Sequence, residues 1–175
     1  MLDGEYKLIE DAIKGEASAF GLLYDRYQPR IYRFIYLKVS HREEAEDLTH
    51  QVFLNAWEKI QNFKIRELNS FSGWLYQIAR NKIIDHYRTK KISINIELIQ
   101  ISDNSSKEDG FDKNIELEKI RKAIAKLNPI EQDVIIMRFI EELSPKEVAS
   151  ILNKSEVSIR LIQHRALKNL KKTLA

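Results

Sequence analysis

The sequence predicts an all-α protein of two small helical domains, an N-terminal helical bundle and a C-terminal helix-turn-helix domain, joined by a flexible acidic linker. Three observations carry that prediction. Only five glycines and three prolines punctuate 175 residues, and the Leu-, Ile-, Lys- and Glu-rich stretches between them are long enough for ordinary helices. Apolar residues recur at helical spacing through most of the chain. From 92 to 112 that pattern stops, first in ISINIELIQI, which alternates with period two, and then in SDNSSKEDG, which has loop composition.

The same composition excludes several classes of function. With no cysteine there are no disulfides and no thiolate metal sites. No apolar run reaches the roughly 18 residues of a membrane span, and the first 16 residues are amphipathic and acidic, unlike a signal sequence. A soluble, cytoplasmic protein without membrane insertion is expected. The net charge of +3 is small, but it is unevenly spread.

In chain order, periodicity predicts helices near 4–15, 16–39, 42–60 and 71–90, the second broken or bent around Pro29. These form one bundle, residues 1–91. The linker follows at 92–112, and its alternating part is expected to lie as extended peptide, since no second strand is evident to pair with it. Between 103 and 118 six acids face two lysines. The second domain, 113–175, opens with a helix at 115–127 that stops at Asn128-Pro129, and continues with one at 130–141. Ser144, Pro145 and Glu147 then supply an N-cap, a first helical position and a capping-box partner for a helix at 145–152. Asn153 can take a left-handed backbone in the turn after it, and Ser155 or Glu156 opens a last helix to about Lys172.

Two helices carry unusual surfaces. In 71–91, Phe71, Trp74, Leu75 and Ile78 make a core stripe, while Tyr76, Arg80, Ile83, Ile84 and Tyr87 make a second face and Asn81, Asp85 and Arg88 a third. Five cations oppose one acid there. Rings that stack on unpaired bases beside cations that hold phosphates suit single-stranded nucleic acid. Packing of Tyr76 and Tyr87 on a neighbouring helix, with the charges as a solvated face, accounts for the pattern equally well. The last helix has the form of a recognition helix, with Ser158, Arg160, Leu161, His164 and Arg165 toward its start and Val157, Ile159, Ile162, Ala166 and Leu170 at positions that include its core.

With these elements in place, the runs LYDRYQPRIYRFI (23–35), EEAEDLTHQVFLNAWEKI (43–60), FSGWLYQIARNKIIDHYR (71–88), LNPIEQDVIIMRFIEELSPKEVASIL (127–152) and HRALKNLKK (164–172) resemble a bacterial RNA polymerase sigma factor of the extracytoplasmic function (ECF) group. The likeness covers nearly the whole chain. It implies a sigma region two domain and a sigma region four domain, with no catalysis, no cofactor and no metal. The implied partners are core RNA polymerase, promoter DNA as duplex and as melted non-template strand, and an anti-sigma factor. By position, Glu46, Asp47, Leu48, Gln51, Val52 and Asn55 would dock on polymerase, with Leu48, Phe53, Leu54 and Trp57 as that helix's core side. Phe63, Lys64 and Arg66, with Asn81, would capture a base flipped from the minus-ten element, while Tyr76, Arg80 and Arg88 would hold the non-template strand. Ser158, Arg160, Leu161, His164, Arg165 and Lys168 would meet the minus-thirty-five element.

The chain departs from the family pattern at several positions. His50-Gln51 stands where a Gln-Glu pair is usual, Asn153 and Val157 where Gly is usual, and Ile162 where an Arg is usual. Leu161 replaces a small polar residue and could touch a thymine methyl. The four histidines have no HExxH-like spacing, and no glycine-rich phosphate loop or nucleophile motif occurs, so an enzyme is not expected. A stand-alone helix-turn-helix regulator is the alternative from another class, and a general RNA-binding helical protein is a third.

Overall fold

A computed structural model describes residues 3–64, 70–97 and 115–174. Eight α-helices follow one another along them: α1 Asp3–Ile13, α2 Ala17–Val39, α3 Arg42–Lys59, α4 Phe71–Glu97, α5 Ile115–Ala125, α6 Pro129–Ile135, α7 Pro145–Leu152 and α8 Glu156–Leu174. There is no strand among the described residues.

Short polar side chains three residues ahead of the amides they accept from fix five helix starts. His41 Nδ1 accepts from Glu44 N at α3, Ser70 Oγ from Gly73 N at α4, and Asn128 Oδ1 from Glu131 N at α6. At α7 the capping box is complete: Ser144 Oγ accepts from Glu147 N at 3.2 Å while Glu147 Oε2 accepts from Ser144 N at 2.7 Å. Ser155 Oγ accepts from Ser158 N at the start of α8. Pro129 and Pro145 take first-turn positions, where a missing amide hydrogen costs nothing. Asn153 closes α7 with a left-handed backbone (φ 50°, ψ 51°), as its short amide side chain permits.

Three elements differ from the sequence expectation. Helix α2 runs through Pro29 unbroken, since the apolar contacts of Tyr27, Ile31 and Phe34 on either side hold it across the lost hydrogen bond. Helix α4 continues to Glu97, so 92–97 are helical and not extended peptide. Adding turns to a formed helix is cheap, whereas an unpaired strand gains nothing. The rest of that segment, 98–114, lies outside the described residues. The helix expected over 130–141 is α only to Ile135; 136–140 form a wider π turn in which Glu141 N donates to Ile136 O at 2.9 Å. That turn, followed by Glu142 at φ 57°, aims Glu141 back toward the first half of the molecule.

In the N-terminal bundle α2 packs on α1, α3 and α4; in the C-terminal bundle α8 packs on α5, α6 and α7. The two bundles also pack on each other, α4 against α7 and α2 against α5 and the π turn. Gly73 sits at that seam: a Cβ there would make ordinary contact with Ile151 Cγ1 at 3.5 Å and would crowd the capping Ser70 Oγ at 3.1 Å.

Candidate nucleic-acid and partner surfaces

Helix α8 presents its basic face to solvent. The turn that ends in Ser155 seats it, Ile159 and Ala166 bury its inner side, and Arg160, Leu161, His164, Arg165 and Lys168 all stand exposed. Ser158 is half-buried and its hydroxyl lies 2.9 Å from that of Ser155. Val157, assigned to the core side by periodicity, is 68% exposed, one turn before Leu161 at 56%. The surface therefore combines two apolar side chains with guanidinium and imidazole donors, the mixture that reads base edges and thymine methyls in a major groove.

On α3 the buried stripe is Ala45, Leu48, Thr49, Val52, Phe53 and Ala56. Leu48 is buried, as its place on the core side predicts, and Val52, expected to face a partner, is buried beside it. Glu46, Asp47, His50, Gln51 and Glu58 line the exposed side, where Glu46 Oε1 accepts from Arg42 Nε at 2.8 Å. Leu54, expected in the core, is 52% exposed among them. The spacing from Ala45 through Leu48, Val52 and Ala56 contains the signal for this, since Leu54 falls about 200° around the helix from Val52. Trp57 is partly buried, tilted against Phe20 with ring centroids 5.0 Å apart.

Helix α4 has two polar sides with different surroundings. On one, Asn81 is exposed at a polar cavity of about 380 Å³ lined also by Asn55, Lys59, Trp74, Gln77, Lys82 and Asp85. Amide edges, an indole and two lysines converge there. Asn55, expected on the partner surface, turns to this cavity. Lys64 is exposed and Arg66 lies outside the described residues. Phe63 is buried, its ring 4.7 Å from that of Trp74 and edge-on to Phe71, so it supports the cavity's indole and offers no free face to a base. Arg88 is exposed, 3.3 Å from Asp85.

The other side of α4 faces the C-terminal bundle. Tyr76 is fully buried, edge-on to Phe34, and its hydroxyl donates to Glu141 Oε2 at 2.9 Å. Burial and the neighbouring carboxylate push that phenol well above its ordinary range, so it stays a donor. Arg80 Nε donates to Asp133 Oδ2 at 2.7 Å, and Lys38 Nζ donates to Asp133 Oδ1. Burial lowers the Lys38 pKa, against the pull of Asp133. Arg33 holds both Glu141 oxygens at 2.7 and 3.1 Å, and Arg30 Nε adds a bond to Oε2 at 3.1 Å. Tyr87 donates to the Lys38 carbonyl at 2.7 Å. In this arrangement Tyr76 and Arg80 contact protein, while Tyr87 stays 45% exposed. His86 packs edge-on to Tyr87 and pairs with Glu44 at 3.0 Å.

Among the described residues no group of three or more His, Cys, Asp or Glu could hold a metal ion, and no helix is long and apolar enough to cross a membrane.

Comparison with known proteins gives these surfaces a context. Residues 23–92 match the family model for sigma-70 region 2 and residues 123–172 that for sigma-70 region 4. The ECF RNA polymerase sigma factor BldN of Streptomyces coelicolor is 35% identical, over 96% of this chain and 65% of its own length, so the chain spans somewhat less than two thirds of that relative. SigW of Bacillus subtilis, also an ECF RNA polymerase sigma factor, is 32% identical over 96% of this chain and 95% of its own. The structure of CnrH in complex with the cytosolic domain of CnrY superposes with a TM-score of 0.77 at 23% identity, covering 98% of this chain and 97% of that one, a likeness of fold.

Proposed function

The chain belongs to the extracytoplasmic function group of RNA polymerase sigma factors, and from that premise we propose that it binds core polymerase and directs initiation at promoters carrying two spaced elements. The observation that carries the reading is the exposed face of α8. Arg160, Leu161, His164 and Arg165 project from the first turns of a helix seated by a capped turn, the disposition that lets a helix enter the major groove at the minus-thirty-five element. Lys168, one turn further on, is suited to a backbone phosphate.

The minus-ten element is read at α4. A base flipped from the stack enters the cavity between α3 and α4, where Asn81, Gln77 and Asn55 offer amide edges and Lys59 and Lys82 offer charge. Unstacking costs a few kcal/mol, which such an amide-lined pocket can offset in part. Polymerase docks on the exposed side of α3, with Asp47, Gln51 and Glu46 as polar contacts and the exposed Leu54 as the apolar anchor. Residues 1–91 act as region two and 113–175 as region four. An anti-sigma protein bridging both bundles is the proposed regulator.

Co-purification with bacterial core polymerase, followed by transcription from random promoter fragments, tests the proposal. Stable binding with selective transcripts is the expected result. Duplex binding without polymerase, and no selective transcript with it, would assign the chain to operator-binding regulators.

A further inference from the structure

Four cations of the N-terminal bundle meet two carboxylates of the C-terminal bundle, and the polarity is one-sided. Arg30 and Arg33 on α2, with the Tyr76 hydroxyl, converge on Glu141; Lys38 on α2 and Arg80 on α4 converge on Asp133. The acid side chains are 0% and 1% exposed, whereas those of Arg30, Arg33 and Arg80 are 36%, 49% and 30% exposed; Lys38, at 5%, is buried with Asp133. The acids are consequently the inserted groups and the arginines form a surface that receives them. A guanidinium grips a carboxylate and a phosphate through the same fork of donors.

Arg80 adjoins Asn81, so a strand with one base in the amide-lined cavity would carry its backbone over the edge of α4 where Arg80 stands. A cleft of about 420 Å³ already opens at that edge, lined by Lys38, Arg80, Ile84, Tyr87, Leu127 and Asp133. From this geometry we infer that Asp133 and Glu141 occupy sites that DNA phosphates take when the bundles part, so that closure of the chain and capture of an unpaired strand exclude each other. The inference rests on the reading of α4 as a strand-binding helix and adds to it a built-in competitor. It also gives Arg30 and Arg33, far from the amide cavity in sequence, a place in strand binding.

The test uses the full chain. Because it contains no cysteine, Lys14→Cys and Lys154→Cys accept a dye pair on opposite bundles without further changes. Energy transfer then reports closure, and binding of a fluorescent single-stranded oligonucleotide at low salt reports the phosphate site. Asp133→Asn with Glu141→Gln should lower the transfer and tighten strand binding by about tenfold or more. Adding Arg30→Ala and Arg33→Ala should cancel that gain with transfer still low, whereas Arg30→Lys and Arg33→Lys should keep most of it, which separates loss of charge from loss of fold. Unchanged transfer in the neutralised variant, opening without tighter binding, or a gain that survives removal of the arginines would each overturn the inference. Polymerase co-purification by the unaltered chain reads the sigma assignment separately, so a chain that transcribes selectively yet shows one of these results loses the competitor alone.

Discussion

The first turns of α8 and the middle turns of α4 carry similar side chains, basic and apolar at helical spacing, yet they lie in opposite surroundings. Every charged group in the first half of α8 is exposed, and its nearest ionic contact, Arg160 to Glu156 at 3.8 Å, is within the same helix. On α4 the equivalent groups divide. Asn81, Lys82 and Asp85 border an open cavity, while Tyr76 and Arg80, on the next side of the helix, are tied to acids from the other bundle. Exposure of a helix face depends on what else in the chain comes to lie on it, and sequence periodicity speaks only to the helix itself.

That contrast is most directly broken at Asp133. If the covered side of α4 is structural in the free chain, Asp133→Ala should cost about 3–5 kcal/mol of stability, since it leaves Lys38 as a buried charge without its partner. Chemical denaturation would measure it. A change within about 0.5 kcal/mol, the usual range for surface substitutions, would mean that the bundles are apart in solution.

Tyr76→Phe is a finer cut at the same seam. It keeps the ring on Phe34 and removes only the hydroxyl that donates to Glu141. A hydrogen bond to a charged group is worth about 1.5–3 kcal/mol, so the melting temperature should fall by several degrees. No fall, with weaker strand binding, would make Tyr76 a DNA contact first.

Arg165→Ala on α8 should behave in the opposite way. Stability should stay within about 0.5 kcal/mol of the parent, and upstream duplex recognition by the holoenzyme should weaken by about 1–3 kcal/mol. If thymine methyls are read, Leu161→Ala should relax the preference at one position and leave the salt dependence of binding unchanged. Competition among promoter variants in a filter-binding or fluorescence assay separates the two outcomes.

Local chemistry was legible where a few neighbouring residues decide it. Ser144, Pro145 and Glu147 announce their capping box, and Asn153 its left-handed turn, because every group involved lies within a few positions. The two-bundle plan was legible for a similar reason, since each bundle has its own apolar periodicity. Val52 and Leu54 were exchanged because both are apolar, and only the phase set by Ala45, Leu48 and Ala56 distinguishes them. Phe63 was offered to a base because a ring ahead of a basic loop fits that role, yet Phe71 and Trp74 enclose it first. Glu141 carried no signal at all. Its partners Arg30 and Arg33 are 111 and 108 residues away, and a π turn that periodicity does not encode delivers it to them.

The smallest expected effect sharpens the comparison at the far end of α4, where the helix is held by its own bundle. Glu44 on α3 accepts from Lys90 Nζ at 2.8 Å and from His86 Nε2 at 3.0 Å. Partial burial raises the Glu44 pKa, but the hydrogen bond and charge of Lys90, with the hydrogen bond to His86, outweigh it and hold the carboxyl below its ordinary value. A carboxylate whose pKa is lower folded than unfolded adds stability that is present above the ordinary carboxylate range and is lost as pH falls through the lowered value. With Lys90 about half exposed, the contribution should be no more than about 1 kcal/mol. Denaturation of the parent and of Glu44→Gln should therefore differ by that amount at pH 7 and converge as acid protonates the carboxyl, and salt should shrink the difference. A gap that persists in acid well below the carboxylate range would make Glu44 a packing residue of the α3–α4 pair, held there by contact and not by charge.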